Sequence, residues 1–482
     1  MRFGQKLHPL NFDYGSDLSI AAAALHLTGR HCDMTVQAAV VFEGCLRLGL
    51  DNAYVTDKRQ YSLGVVEELR SPSPLAPSGE GIFAGGGIQA AFVAGGIKLS
   101  TDSGLVLETL AEGIGCNGKQ LVLNFDVTDF SGFYGFGERT GKLNKSGSAF
   151  QFWNVDVVAD HPQAYGRDDY DPTYVSIPLA ILKGPRGYLG LFFDNPGMSV
   201  IDVEGVECGR LMYQSLAGNT DLYVIDGPRL KDVVRRFTRL TGRHEVPPLW
   251  AMGYHQCRWG YQTEAEFLEL RDSFAHFHVP VSALWHDIDY MDGYRLFTWD
   301  LEDFPSPARL GEVLKGSDIH SVTIVDPGVK LDPGYAVYDD GMANDVFCKT
   351  ESGRDYVGRV WPGDTVFPDF SLPAVREWWA EHLAAFVQES RIDGLWLDMN
   401  EPATGYSAEE LMRFEGGRVP HDRYHNQYGL LMAMASRQAL DNLDPDRRPF
   451  ILTRAAWAGI QRYSALWTGD NVSSWKHLRM AI

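Results

Sequence analysis

The rhythm of apolar and polar positions changes near residue 245. Before that point, short apolar runs alternate with clusters of Gly, Ser, Asp and Asn, as at 105–110, 120–127, 188–193 and 221–225. Such runs predict antiparallel strands of a β-sandwich, each burying a face and ending in a turn. The stretch 69–85, rich in Pro, Ser and Gly, reads as a surface loop, and the amphipathic stretch 230–240 as a helix leading to a linker at Pro247-Pro248. After 245, apolar runs at 249–255, 281–285, 322–325, 394–397, 449–453 and 465–467 predict strands separated by helices. A helix over 263–277 opens with a capping box, Thr263 and Glu266, and spaces Phe267, Leu270, Phe274 and Phe277 along its length. A second helix over 371–388 carries Val375, Trp378, Trp379, Leu383 and Phe386, and a third covers 423–443.

Alternating strands and helices mean a parallel sheet, closed or open. The polar residues decide between the two. Asp287 and Asp289, Asp326, Asp398 with Glu401, and Asp470 each follow a different strand candidate. Chemistry at the carboxyl ends of several strands is the habit of a (β/α)8 TIM barrel, whereas an open sheet gathers its site at one switch point. The expected organisation is an N-terminal β-sandwich domain over 1–245 and a catalytic barrel over 246–482. Only about six of the eight barrel strands are readable. The last residues, 475–482, read as the start of a helix, so the sequence is expected to stop inside its own barrel.

Composition narrows the chemistry. The 43 basic and 63 acidic residues leave a net charge of −20, which disfavours nucleic acid or an anionic membrane as partner. The 12 Trp, 21 Tyr and 25 Phe supply aromatic walls for sugar rings as readily as large cores. No run approaches the ~20 apolar residues of a membrane span, and the start at Met1-Arg2-Phe3-Gly4 has no signal-peptide pattern. The six cysteines are scattered without a CxxC, so neither a zinc site nor a disulfide framework is expected, and the location expected is cytoplasmic. No cofactor is expected: the glycines of 133–141 have the wrong spacing for a dinucleotide turn, and 441–446 lacks the Gly and Glu of a calcium loop.

The strongest segment is DGLWLDMNEP at 393–402, a buried strand delivering Asp398 at its end. A carboxylate so placed can attack a carbon or stabilise a cation; otherwise it caps the next helix. A second segment, 450–479, brings Arg454 and Asp470 from neighbouring strands, with Trp457 and Trp467 between them. Two carboxylates on separate strands, with no His or Cys ligand cluster, suit acid–base work on a glycoside better than metal-assisted hydrolysis. Retention and inversion of the anomeric centre both stay open on these grounds.

Those two segments, with FYGFGERTGKLNKSG at 133–147, WNVD at 153–156, RWGY at 258–261, WHDIDYMDGYRLFTW at 285–299, VDPG at 325–328 and VWPGDTVFPDF at 360–370, resemble glycoside hydrolase family 31. The resemblance runs from about residue 133 to the last and points to the α-glucosidase branch, because Trp396 precedes Asp398 by two and Met399-Asn400 follows it. It implies a galactose-mutarotase-like sandwich before the barrel. It also implies a retaining, exo-acting double displacement on an α-glucoside or malto-oligosaccharide, with Asp398 as nucleophile and Asp470 as general acid/base. Retention places such carboxyls ~5–5.5 Å apart. Asp287, Arg454 and Asp156 are implied as holders of the non-reducing-end sugar. Trp361, Trp396, Trp467, Ile288 and Met399 are implied as its apolar wall, with core packing as the alternative. Glu401, Asp289 and Asp326 read as supporting residues. The competing functions are an α-glucosyltransferase with the same carboxylate pair and a catalytically silent carbohydrate-binding fragment. Oligomeric state has no signature in the sequence.

Overall fold

The computed structural model describes residues 12–14, 17–21, 24–28, 32–75, 78, 81–93, 96–157, 171, 173–203, 207–216, 218–405 and 407–482. The chain divides into two compact units, one formed by 1–243 with 457–459 and 470–482, the other by 244–456 with 460–469.

The first unit contains a nine-stranded and an eight-stranded antiparallel sheet. In the nine-stranded sheet Gln120–Asp126 lies between Val106–Asn117 and Arg210–Ser215. In the eight-stranded sheet Gly187–Asp194 lies between Leu179–Gly184 and Thr220–Gly227. Residues from both sheets, among them Leu48, Leu121, Phe133, Leu191, Phe193 and Tyr213, form one buried core, as a sandwich requires. The hairpin from Asp33–Phe42 to Cys45–Asn52 turns at Gly44, whose φ of 79° lies where a side chain is disfavoured. The helix Leu230–Thr241 buries Val233 and Leu240.

The stretch 69–85, expected as a loop, ends in a strand, Ile82–Gly85, which pairs with Ile88–Val93. Gly86 and Gly87, both at positive φ, make the tight turn that the run of small residues concealed. Residues 76, 77, 79 and 80 of this stretch, and the chain start at 1–4, lie outside the described residues.

In the second unit six strands form a parallel sheet in chain order: His255–Gln256, Ala283–His286, His320–Val325, Gly394–Leu397, Phe450–Thr453 and Ala465–Leu466. Helices Glu264–His276, Pro307–Lys315, Ala336–Ala343, Pro373–Ser390 and Tyr428–Leu443 fall between them. The capping box forms as the sequence predicts: Glu266 N donates to Thr263 Oγ1 at 3.3 Å and Thr263 N to Glu266 Oε2 at 2.9 Å. Gly394–Leu397 matches its expected bounds, and both its edges are paired. The expected strand at 249–255 is instead a 3-10 turn, Leu249–Met252, followed by the two-residue strand His255–Gln256. The run carries no alternating buried face: Leu249 and Met252 are 88% and 73% exposed, and Trp250 stacks on His320 at 4.4 Å. The helix expected at 423–443 begins only at Tyr428, after short turns at His421–Arg423 and His425–Gln427.

Candidate active site

The carboxyl ends of the parallel strands carry the charged residues. Gly394–Leu397 is held in register by His320–Val325 on one side and Phe450–Thr453 on the other. The chain leaves this strand at Asp398, whose amide donates to the Val325 carbonyl at 3.3 Å. Asp398 is buried, with 8% of its surface exposed. Met399 then adopts a φ of 57°, a left-handed conformation that costs a non-glycine residue on the order of 1 kcal/mol.

The next two residues hold that turn. Asn400 is fully buried; its Nδ2 donates to Thr453 Oγ1 at 2.9 Å and its Oδ1 accepts from Ala455 N at 3.0 Å. Glu401 accepts from Arg454 twice, from Nε and from Nη2, each at 2.9 Å. Arg454 follows the neighbouring strand, its amide fixed to the Leu397 carbonyl at 3.0 Å. Its Nε also lies 3.1 Å from Asp398 Oδ1. One buried guanidinium therefore faces two carboxylates, in the planar fork geometry that suits Arg better than Lys.

Two further acids complete this end of the sheet. Asp326 follows Val325 and is buried, and its carboxyl is raised above the usual range, chiefly by desolvation. Arg454 opposes that rise; Asp287 and Glu401 add to it. Asp287, half-buried after Ala283–His286, accepts the Ile288 amide at 2.8 Å. Behind it His286 is fully buried, and desolvation pushes its imidazole down to about 3, so it is neutral. Asp289 faces another loop, accepting from Trp259 Nε1 at 3.1 Å and Gln262 Nε2 at 2.8 Å.

Aromatic rings line the sheet interior. Trp285, Trp396 and Phe450 pack in one cluster, and Trp396 meets Trp285 edge-on at 5.8 Å and Trp467 at 5.7 Å. Trp361 is 46% exposed and stands beside exposed Trp259 at 5.6 Å. Ile288 is buried, while Met399 keeps partial exposure and its sulfur lies 3.4 Å from Arg454 Nη2.

The fold thus brings Asp398, Arg454, Glu401, Asp326 and Asp287 together, and joins Trp396 to Trp467. Trp361 sits in a separate aromatic pair. Asp156 and Asp470 belong to the first unit: Asp156 is half-buried after the strand Ala149–Phe152, and Asp470 is exposed, five residues before the helix Trp475–Ala481. The depth of Asn400 in the fold was not foreseen. Its signal was the polar pair Asn400-Glu401 close after an apolar strand, whose partners come from the end of the neighbouring strand.

Comparison with known proteins gives a consistent family. Residues 244–482 match the glycosyl hydrolases family 31 TIM-barrel domain, and residues 89–202 match the glycosyl hydrolase 31 N-terminal galactose mutarotase-like domain. Alpha-glucosidase 2 of Bacillus thermoamyloliquefaciens is 42% identical over 356 residues, covering 73% of this chain and 44% of the relative. An alpha-glucosidase of Saccharolobus solfataricus is 36% identical over 373 residues, 72% of this chain and 52% of the relative. The chain thus spans about half the length of the curated relatives it matches. The endoplasmic-reticulum glucosidase II complex shares the fold, with a TM-score of 0.83 at 22% identity over 99% of this chain and 62% of that one. A family 31 alpha-glucosidase from Bacteroides thetaiotaomicron superposes with a TM-score of 0.64 at 35% identity, over 76% of this chain and 58% of that one.

Proposed function

Because the chain belongs to glycoside hydrolase family 31, we propose that it carries the chemistry of a retaining, exo-acting α-glucosidase. The observation that carries this reading is the placement of Asp398: at a strand's carboxyl end, buried, with a guanidinium nitrogen 3.1 Å from its carboxylate. A fixed cation beside a carboxylate favours its ionised form, the state a nucleophile needs.

In the proposed reaction the Asp398 carboxylate attacks the anomeric carbon of a terminal α-linked glucose. The bond to the glycosidic oxygen breaks, and Asp470 gives that oxygen its proton. A β-glucosyl ester on Asp398 results. Asp470, now a base, takes a proton from water, which attacks the same carbon and restores the carboxylate. α-Glucose leaves with its configuration retained. Arg454 compensates the nucleophile's charge before the ester forms and again once water has released it, and Glu401 fixes the guanidinium.

The substrate class rests on the relatives, which are named as α-glucosidases, and on aromatic surface at Trp396 and Trp467 suited to a sugar ring. A cytoplasmic setting belongs to the same reading, and no helix among the described residues is long and apolar enough to cross a membrane. Asp156, Asp287 and Arg454 are proposed to hold the sugar, and Trp361, Trp396, Trp467, Ile288 and Met399 to border it.

The test is the anomer first released from p-nitrophenyl α-glucoside, followed by proton NMR before mutarotation. α-Glucose appearing first supports retention. β-Glucose first, or transfer products without free glucose, contradicts the proposed hydrolysis.

A further inference from the structure

Away from the charged cluster, the fold collects a second set of residues that the reaction does not use. The chain from 407 to 427, between the Asp398 strand and the helix Tyr428–Leu443, folds through short turns at Glu409–Leu411, His421–Arg423 and His425–Gln427. One side chain from each turn converges. Glu409, His421 and His425 place one ligand atom each within 4.8 Å of one another. His421 Nε2 and His425 Nδ1 are 2.7 Å apart, and Glu409 Oε2 lies 3.9 Å from His425 Nδ1.

We propose that Glu409, His421 and His425 bind one zinc ion that fixes the loop behind the Asp398 strand. Neighbouring ligand atoms on a tetrahedral ion with bonds of ~2.0–2.1 Å lie ~3.3 Å apart. The His421–His425 separation of 2.7 Å and the Glu409–His425 separation of 3.9 Å fall on either side of that value, and all three ligand atoms lie within 4.8 Å of one another, so side-chain adjustment is what closes them on an ion. Two imidazoles and one carboxylate form a donor set suited to zinc, whereas calcium and magnesium prefer all-oxygen sites.

Packing supports the ligand orientation. His421 and His425 are 3% and 0% exposed, so their rings have little room to turn away. Buried Phe414 stacks on His421 at 5.7 Å with an interplanar angle of 29°. Glu409 is only half-buried, which leaves an entry path and room for a water as fourth ligand. The spacing His421-x3-His425 is visible in the sequence, but its carboxylate partner lies twelve residues upstream and is brought in only by the loop.

An ion here would tie the loop to the start of the helix Tyr428–Leu443, whose Gly429 packs against Asn400 and Ala455. Its role is to position the segment that carries the proposed nucleophile, without touching substrate.

The experiment uses the 482-residue chain, stripped with a chelator, loaded with zinc alone and dialysed against metal-free buffer. The expected result is one zinc retained per chain and a raised melting temperature on zinc addition. Glu409→Gln, which keeps shape and removes the charge, should weaken binding about tenfold or more and abolish the thermal shift. His421→Phe, which keeps the aromatic stack, should do the same. Cobalt substitution should give visible d–d bands in the wild type that are lost in both variants. Failure of the wild type to retain zinc overturns the proposal. So does equal retention by wild type and both variants, which would place the ion elsewhere, for example at exposed Cys208 or Cys257.

Discussion

Arg454 and Glu401 face each other through two hydrogen bonds of 2.9 Å, and the same Arg454 Nε stands 3.1 Å from Asp398 Oδ1. Arg454 is 1% exposed and Glu401 1%, so neither charge has water to fall back on. The pair makes the end of one strand depend on the end of its neighbour. Leu397 and Arg454 are already joined by a backbone hydrogen bond, and the side chains extend that link to the loop beyond.

Removing the Glu401 charge should therefore be costly. Glu401→Gln leaves the guanidinium with a single carboxylate neighbour in a dry site, and breaking a buried pair in this way costs about 3 kcal/mol or more. Urea unfolding of wild type and variant measures it. A midpoint within error of wild type would contradict the account. The same variant should lower kcat at least tenfold with a smaller change in KM, because it disturbs a residue held beside the reacting group.

Asp326 gives a pH signature. Its folded-state carboxyl is raised above its unfolded value, mainly by burial. The folded state then binds a proton that the unfolded state has lost, so its contribution to stability falls as pH rises from about 4 towards 7. The slope reaches about 1.4 kcal/mol per pH unit for one proton. Glu138 and Asp194, each raised to about 7 by burial, act with the same sign, and His286 acts oppositely below about 6.5. Asp326→Asn removes only its own share. The variant's stability relative to wild type should increase between pH 5 and pH 7.5; a constant difference across that range would refute the assignment.

Gly429 tests how closely the helix is set against the site. A Cβ there would lie 2.5 Å from the Ala455 carbonyl oxygen and 3.1 Å from that of Asn400, both backbone atoms. Gly429→Ala should cost about 2 kcal/mol by overpacking and displace the 399–401 turn, lowering activity with it. Full stability and activity in this variant would show that the helix can retreat freely.

Trp467 is expected to act on sugar binding. It is partly exposed and meets Trp396 edge-on at 5.7 Å. Trp467→Ala should raise KM for a p-nitrophenyl α-glucoside about tenfold or more, an aromatic contact and its buried area being lost together. An unchanged KM would remove Trp467 from the proposed wall.

Much of this organisation is legible in the sequence because the deciding signals are local. Gly394–Leu397 is an apolar run between two aspartates, and such a run has few ways to bury itself other than as a central parallel strand. The capping box of Glu264–His276 is equally local. What escaped the sequence depends on distant partners. The segment 249–252 looks apolar enough for a strand, but only Trp250 and Ala251 pack against the core, while Leu249 and Met252 turn outward. Asn400 is an unremarked polar residue in the sequence; its burial depends on Thr453 at the end of the next strand and Ala455 just beyond it. The same holds for Arg454: its charge is evident, but its pairing with Glu401 follows only from the parallel register of two strands more than fifty residues apart.

The central claim is that Asp398 forms the covalent bond to the sugar. The most direct measurement is chemical rescue of Asp398→Ala with azide on p-nitrophenyl α-glucoside, with the wild type run beside it. The account predicts p-nitrophenol release by the wild type, a loss of at least about 10³-fold in the variant, and recovery with azide that yields β-glucosyl azide. Undiminished activity in Asp398→Ala, or an azide product of α configuration, would contradict it.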